Sequence, residues 1–330
     1  MTPAPTQPTI VGYDPGFGNT NVCVAGQVHS LQTVVARPNE IGLAAMGLRS
    51  AGSQATEVTF ANQRYIVGPG SWQRGQPLAS MDFLSLTSAP RLALFYAALS
   101  PLIPNQHLLK KAMLELSVVI GLPVPLLQDS TQAALVIESL KELKRDHHFQ
   151  VAGEGYAVTI KRIKVVAQPL GSYMDWLYDD ALQIRPGGSK AETAILDIGL
   201  NTLDLFVVQG GQVVERHLGG GEVGVQRLLQ LLNTAGRDLV EVDADLRHRR
   251  LKPTAAQLEA WLTEILATVK RSWPSLKRFS VVIPTGGGAV VLGECLRTAL
   301  AVKGAAIYWP ADPLTANVRG FEKYGRKYAA

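Results

Sequence analysis

Two aspartates, each followed by a glycine-bearing turn that ends in Asn-Thr, are the residues best placed in this chain to do chemistry. Asp14-Pro15-Gly16-Phe17-Gly18-Asn19-Thr20 and Asp197-Ile198-Gly199-Leu200-Asn201-Thr202 repeat one phrase, once near the start and once past the middle. Each follows an apolar run, residues 9–13 and 193–196, and each leads into another, residues 21–24 and 203–208. The pattern predicts strand, carboxylate, Gly-rich turn, strand. Glycine lets the backbone turn at φ > 0 and leaves its N–H uncovered. Such N–H groups, beside a hydroxyl and a carboxylate that can hold a hydrated cation, suit a polyphosphate with its Mg²⁺. One copy is no more than hairpin geometry selects. Two copies in matching strand contexts predict a pair of phosphate hairpins closing on one nucleotide.

A third glycine-rich stretch, Gly286-Gly287-Gly288-Ala289, follows the apolar run 279–283 and precedes a predicted helix over 290–300. Bare glycines at a helix start let a flat ring and a ribose approach the backbone.

The elements that must carry these residues are legible from periodicity and turn chemistry. Residues 27–36 alternate as a strand, the Gly- and Ser-rich residues up to 53 read as an exposed loop, and 57–68 read as a hairpin with Asn62 in its turn. A helix is predicted over 89–99, a buried strand over 116–122, and a helix from a cap at Asp129 or Ser130 through 143. Strands at 156–160 and 163–166 deliver Gln168, and a helix capped by Ser172 follows to 182. Arg185-Pro186-Gly187-Gly188-Ser189 reads as a linker. Beyond the second hairpin come a turn at 209–212, a strand at 213–217, and Gly219-Gly220-Gly221 leading into a helix. A largely helical stretch follows to 275 with Thr254 as a cap, then a short strand at 305–308 and a terminal helix capped at Asp312-Pro313.

Composition bounds the function classes. The chain has 330 residues, 47% hydrophobic and 18% charged, with a net charge of +5, which describes a soluble protein of about two domains. No run of about 18 apolar residues offers a membrane span, and the first nine residues read as a polar tail without a signal peptide. Cys23 and Cys295 are read as reduced thiols in a cytoplasmic protein. The basic clusters are short and carry no interleaved aromatics, so direct DNA binding is not indicated.

The order of hairpin, Gln168 after a strand, second hairpin and Gly-Gly-Gly-Ala before a helix resembles the actin, Hsp70 and sugar-kinase superfamily. Within it the chain is most similar to the ParM/StbA group of bacterial actin-like plasmid-segregation ATPases. Residues 196–204 are close to that group's second phosphate motif, Val119-Ile120-Gly121-Leu122-Pro123 resembles its domain-one strand, and Ala316-Asn317-Val318-Arg319-Gly320-Phe321 resembles its C-terminal Asn-x-x-Gly-aromatic segment. The resemblance implies that Asp14 and Asp197 hold Mg²⁺, mostly through water. Gly16, Phe17, Gly18, Asn19, Thr20, Asn21, Gly199, Leu200, Asn201 and Thr202 would line the phosphates, Gly286, Gly287, Gly288 and Ala289 would face the adenosine, and Glu222 would reach the ribose. Gln168 would orient the attacking water, acting with Asp197 in catalysis. One position departs from the pattern: Asn21 supplies no charge where many relatives carry lysine.

The implied fold is α/β, actin-like, with two duplicated mixed-sheet domains flanking a nucleotide cleft. Domain I is expected at residues 1–187, with a small subdomain at about 36–70 and the C-terminal helix 313–330 returning to it. Domain II is expected at 188–312, with a helical subdomain at about 222–275. The implied function is a cytoplasmic bacterial protein that binds ATP (or GTP) with Mg²⁺, polymerises, and hydrolyses nucleotide to ADP (or GDP). Its filaments would move plasmid DNA through a DNA-binding adaptor at a plasmid centromere, without membrane contact. The alternatives are a non-polymerising small-molecule kinase, which needs a carboxylate base for a substrate hydroxyl, and a nucleotide-binding scaffold without turnover.

Overall fold

Near-continuous runs of Val, Ile and Leu form the central strands, and their unbroken burial marks sheets covered on both faces. The computed structural model describes residues 7–38, 54–78, 85–105 and 113–329. The loop expected over 39–53 therefore lies outside the described residues. Contacts divide the chain into two compact units: Met1–Ala167 with Phe321–Ala330, and Gln168–Gly320.

The first unit contains β1 (Thr9–Pro15), β2 (Asn19–Val24), β3 (Gln27–Gln32), β4 (Val35–Pro38), β5 (Thr56–Phe60), β6 (Gln63–Val67), α1 (Ser71–Arg74), β7 (Gly75–Pro77), α2 (Ala89–Leu99), β8 (Leu114–Leu122), α3 (Val124–Gln128), α4 (Ser130–Leu140), β9 (Asp146–Val151) and β10 (Glu154–Ala167). Its strands form one mixed sheet in the order β3-β2-β1-β8-β10-β9-β5-β6-β4-β7. The alternation expected over 27–36 breaks at Thr33 and Val34, where the chain leaves β3 for β4. The β5–β6 turn uses Ala61 and Asn62, both at positive φ, the backbone that a two-residue hairpin turn requires. α2 buries Leu92, Leu94, Phe95 and Leu99 in a core shared with Val11, Val118 and Ile120. Asp129 caps α4 by accepting from the N–H groups of Thr131 and Gln132 at 3.0 Å. The two strands expected over 156–166 are one, β10, with a register irregularity between Ile160 and Arg162.

The second unit contains α5 (Gln168–Leu177), β11 (Glu192–Ile198), β12 (Leu203–Gln209), β13 (Gln212–Val213), β14 (Gly219–Gly221), α6 (Val225–Leu232), α7 (Leu239–Arg247), α8 (Ala255–Ser272), β15 (Val281–Thr285), α9 (Gly286–Leu292), α10 (Glu294–Val302) and the start of α11 (Ala316–Tyr324). The strand order is β13-β12-β11-β15, with β14 also pairing β12. α6, α8 and α9 bury Leu228, Trp261, Ile265 and Leu292 against Leu196 and Leu205 of the sheet.

Several elements differ from the sequence reading. α5 begins at Gln168, so Ser172 lies inside the helix and its hydroxyl is spent on buried partners, not on a cap. The unit boundary at Ala167/Gln168 falls upstream of the 185–189 stretch because α5 buries Tyr173, Trp176 and Leu177. The strand expected over 213–217 ends at Val213, and Glu215–His217 turn as a 3-10 helix whose last carbonyl accepts from Trp273 Nε1 at 2.9 Å. Gly219–Gly221 is itself a strand. A Cβ at Gly220 would stand 2.2 Å from Leu203 O, so only a bare backbone fits against β12. The helix expected from 290 starts at Gly286 and breaks at Gly293, where φ is 48°. The strand expected at 305–308 is a single bridge between Val282 and Ile307. The terminal helix begins at Ala316 and gives way to a π-helical turn, Gly325–Ala329. There the bare Gly325 meets Ile10 and Val119 of β1 and β8.

Candidate functional site

The first hairpin places Asp14 opposite Asn21 and Pro15 opposite Thr20. Asn21 Nδ2 donates to Asp14 Oδ2 at 3.4 Å, both side chains are buried, and Asn21 Oδ1 has no partner. The turn is held from one side. Thr33 Oγ1 donates to Gly16 O at 2.9 Å, Thr33 N to Gly18 O at 3.1 Å, and Arg91 Nη1 to Pro15 O at 3.3 Å. Arg91 comes from α2, is fully buried, and lies 5.9 Å from the centre of the Phe17 ring. Burial pushes the Tyr13 hydroxyl up to about 12, with Arg91 opposing and Asp14 reinforcing the rise. Thr20 is fully buried with its hydroxyl 3.0 Å from that of Thr33, and Asn19 Nδ2 donates to Ser30 Oγ at 2.8 Å. A Cβ at Gly16 would stand 2.7 Å from Asn19 O, so the turn needs glycine there.

The second hairpin is built on a helix start. The N–H groups of Gly224, Val225 and Gln226 donate to the carbonyls of Asn201, Gly199 and Leu200 at 3.3, 3.0 and 2.7 Å. In a trans peptide the C=O and the following N–H point in opposite directions. Turning these three carbonyls towards α6 therefore turns the N–H groups of Leu200, Asn201 and Thr202 away from it. None of those three has a backbone carbonyl partner among the described residues. Successive free N–H groups make an anion-binding nest. Gly224 is required because a Cβ there would stand 2.4 Å from Leu200 O.

Asp197 closes the site on the strand side. It lies opposite Asp204 on β12, and both are buried. Burial raises the Asp197 carboxyl to about 6, with the Asn317 hydrogen bond opposing. Burial raises Asp204 to about 7, the facing Asp197 adds to the rise, and the Thr202 hydrogen bond opposes it. Thr202 Oγ1 donates to Asp204 Oδ2 at 3.0 Å, while Asp204 Oδ1 has no partner. Asn317 Nδ2 donates to Asp197 Oδ2 at 2.8 Å. The carbonyl end of Asn317 accepts from Ser172 N at 3.2 Å, and Ser172 Oγ lies 2.6 Å from it and 2.9 Å from Thr285 Oγ1.

The structure thus brings Asp197, residues 199–202 and Gly286 together. A Cβ at Gly286 would stand 2.6 Å from Asp197 Oδ1 and 2.4 Å from Ile198 O. Of the other glycine-stretch residues, a Cβ at Gly287 would make ordinary contact with Leu314 at 3.8 Å, one at Gly288 would stand 2.2 Å from Ile198 Cγ2, and Ala289 is fully buried. Gly288 and Ala289 thus serve the packing of α9 on β11. Glu222 is exposed at the end of β14, and Gln168 is the half-buried first residue of α5. Lys270 and Arg271 sit on α8, where Arg271 bonds Thr268 of its own helix.

Sequence reasoning missed Arg91, Asp204, Gly224 and the roles of Ser172 and Asn317. Asp204 and Asn317 stood inside quoted motifs, and only the contacts reveal their use. Arg91 carried one signal: it is a charged residue in an otherwise apolar helix.

Comparison with known proteins bears on the fold. Residues 12–171 match the family model described as the actin-like proteins' N-terminal domain. No curated protein sequence matches the chain significantly. Among solved structures, the apo psk41 ParM protein superposes with a TM-score of 0.73 at 15% identity, covering 98% of each chain. A 15-stranded ParM filament from Clostridium botulinum gives 0.69 at 16% identity, covering 97% of this chain and 99% of that one. Ta0583, an archaeal actin homolog in complex with ADP, gives 0.66 at 16% identity over 96% and 99%. At these identities the likeness establishes the fold, which is actin-like.

Proposed function

We propose that this chain, with its actin-like fold and actin-like N-terminal domain, binds a nucleoside triphosphate with Mg²⁺, assembles into filaments and hydrolyses the bound nucleotide. The observation that carries the reading is the nest of three N–H groups at Leu200, Asn201 and Thr202, presented by the start of α6 beside a buried carboxylate. That arrangement fits a phosphate with a cation nearby. Among the described residues no three His, Cys, Asp or Glu side chains form a direct cation cage. In this reading Asp14 and Asp197 each bind the cation mostly through its waters, since Mg²⁺ with nucleotide phosphates keeps several of them. Bound Mg²⁺ would neutralise the charge that develops on the transferred phosphoryl group.

In this reading residues 16–21 and 199–202 take the phosphates. Gly286 and Gly287 face the adenosine, Gly288 and Ala289 support them, and Glu222 reaches the ribose. Gln168 orients the attacking water, a positioning task that needs no strong base. ATP is the expected nucleotide and GTP the alternative; the solved archaeal homolog holds ADP. Filament formation is supported by the shared fold of the ParM filament. The cellular task we assign is moving plasmid DNA through a separate DNA-binding adaptor.

The test combines pelleting and phosphate release after adding ATP and Mg²⁺. Nucleotide-dependent assembly with phosphate release is expected. Sugar-dependent ADP production without assembly would refute the filament reading. Gln168→Ala should slow phosphate release and spare assembly; loss of nucleotide binding in that variant would remove Gln168 from its role.

A further inference from the structure

We propose that Asn317 is a positioning residue for hydrolysis, whose side-chain amide holds Asp197 with one end and the helix that begins at Gln168 with the other. The inference rests on the function proposed above and adds a residue to its site. Asn317 Nδ2 donates to Asp197 Oδ2 at 2.8 Å. Its Oδ1 accepts from Ser172 N and lies 2.6 Å from Ser172 Oγ. Asn317, Asp197, Ser172 and Thr285 are all buried, so each bond acts in a medium where a lost partner is expensive.

Residue type is dictated by both ends of this bridge. The group must donate to a carboxylate and accept from an N–H in the same rotamer. An aspartate lacks the donor, a leucine lacks both functions, and a glutamine is one methylene too long. Ser172 lies four residues after Gln168 on α5, hence on the same face one turn along. The amide therefore fixes the start of α5 relative to the end of β11.

Two further contacts hold the same register. α11 crosses α5 backbone to backbone, since a Cβ at Gly320 would stand 1.7 Å from Gly171 O. Arg319 Nε and Nη2 both donate to Asp175 Oδ2, at 3.1 and 2.7 Å. The Asn-x-x-Gly spacing thus acquires a physical reading. Asn317 reaches Ser172 and Asp197 because Gly320, one turn later, lets the helices touch.

A misplacement of about 1 Å in a reacting group can lower a rate by about 10²-fold. Asn317→Ala should therefore lower kcat for phosphate release at least tenfold and change nucleotide affinity, read with a fluorescent ATP analogue, by less than about threefold. It should also raise the Mg²⁺ concentration needed for half-maximal nucleotide binding, a readout independent of turnover. In the Asn317→Ala background, Gln168→Ala should lower kcat by no more than about twofold further, because the two act on one placement. Ser172→Ala, which removes one hydroxyl, carries the same test should Asn317→Ala not fold, with a smaller fall in kcat.

Unchanged kcat in the folded variants, or a fully multiplicative loss in the double variant, overturns the assignment of Asn317 and leaves the proposed function standing. Absence of phosphate release from ATP and GTP in the unaltered protein overturns both.

Discussion

Asp197 and Asp204 face each other across the β11–β12 ladder, and Asp204→Asn tests what that pairing does to stability. Burial and the facing carboxylate raise Asp204 from the ordinary value of 3.8 to about 7. An unfolded chain gives up this proton near pH 4, whereas the folded protein keeps it until about pH 7. Between those limits the folded state binds more protons, so stability falls as pH rises from about 4 to about 7 and then levels. Each pH unit of difference is worth about 1.4 kcal/mol, so the gap of roughly three units sets a ceiling of about 4 kcal/mol at pH 8. The asparagine keeps an oxygen for Thr202 Oγ1 and puts an N–H₂ where Asp204 Oδ1 now lacks a partner. We expect Asp204→Asn to stabilise the protein by about 2–3 kcal/mol at pH 8 and by about zero at pH 4. Urea denaturation followed by tryptophan fluorescence at half-unit pH steps measures the difference. A pH-independent difference between the two proteins, or a destabilised variant at pH 8, would refute the reasoning.

Other substitutions probe the backbone contacts and the buried charge. Gly320→Ala must push α11 off α5 and should destabilise by about 1–3 kcal/mol, seen as an earlier urea midpoint; an unchanged midpoint would show that the helices do not meet at Gly171 O. Gly224→Ala should displace the residue 200–201 backbone and weaken nucleotide binding by tenfold or more in a fluorescence titration, while wild-type affinity would remove the second nest from the site. Arg91→Ala takes away the donor to Pro15 O and the cation against Phe17, and should destabilise by about 1–3 kcal/mol. A shift in urea midpoint within error would mean that this buried arginine supports nothing.

The hairpins were legible because their chemistry is local: strand runs, Asp, Gly and Thr lie within a few residues of each other. The same holds for α2, whose bounds follow from Pro90 and Pro101, and for the Asp129 and Thr254 caps. Longer-range information was not legible. Three successive glycines at 286–288 read as a platform for a ring, yet Ile198, 88 residues upstream of Gly286 in sequence, is what two of them must clear. Ser172 looked like a cap because Ser at a turn usually is one, whereas its partners are residues 285 and 317. Local propensity cannot encode a hydrogen bond across 145 positions.

The two hairpins share a sequence phrase but present it by different means. In the second, α6 draws back the carbonyls of residues 199–201 with its own first-turn N–H groups. In the first, Thr33 and Arg91 draw back the carbonyls of Gly16, Gly18 and Pro15. Trans-peptide geometry then turns the N–H groups of Gly16, Phe17 and Asn19 away from those donors. The difference bears on Asn21. A helix start contributes about half a positive charge, and among the described residues the first hairpin has neither that nor a lysine at position 21. It has instead a full guanidinium charge behind the turn, buried and bonded to the turn's own carbonyl. The uncharged Asn21 is thereby freed to bond Asp14. A lysine at 21 would add a second buried cation to a hairpin whose Pro15 carbonyl already binds Arg91. Asn21→Lys should therefore gain little affinity for the triphosphate in the unaltered protein and much more when Arg91 is replaced by Met. Equal gains in the two backgrounds, measured by nucleotide titration, would show that Arg91 does not supply the charge of the first hairpin.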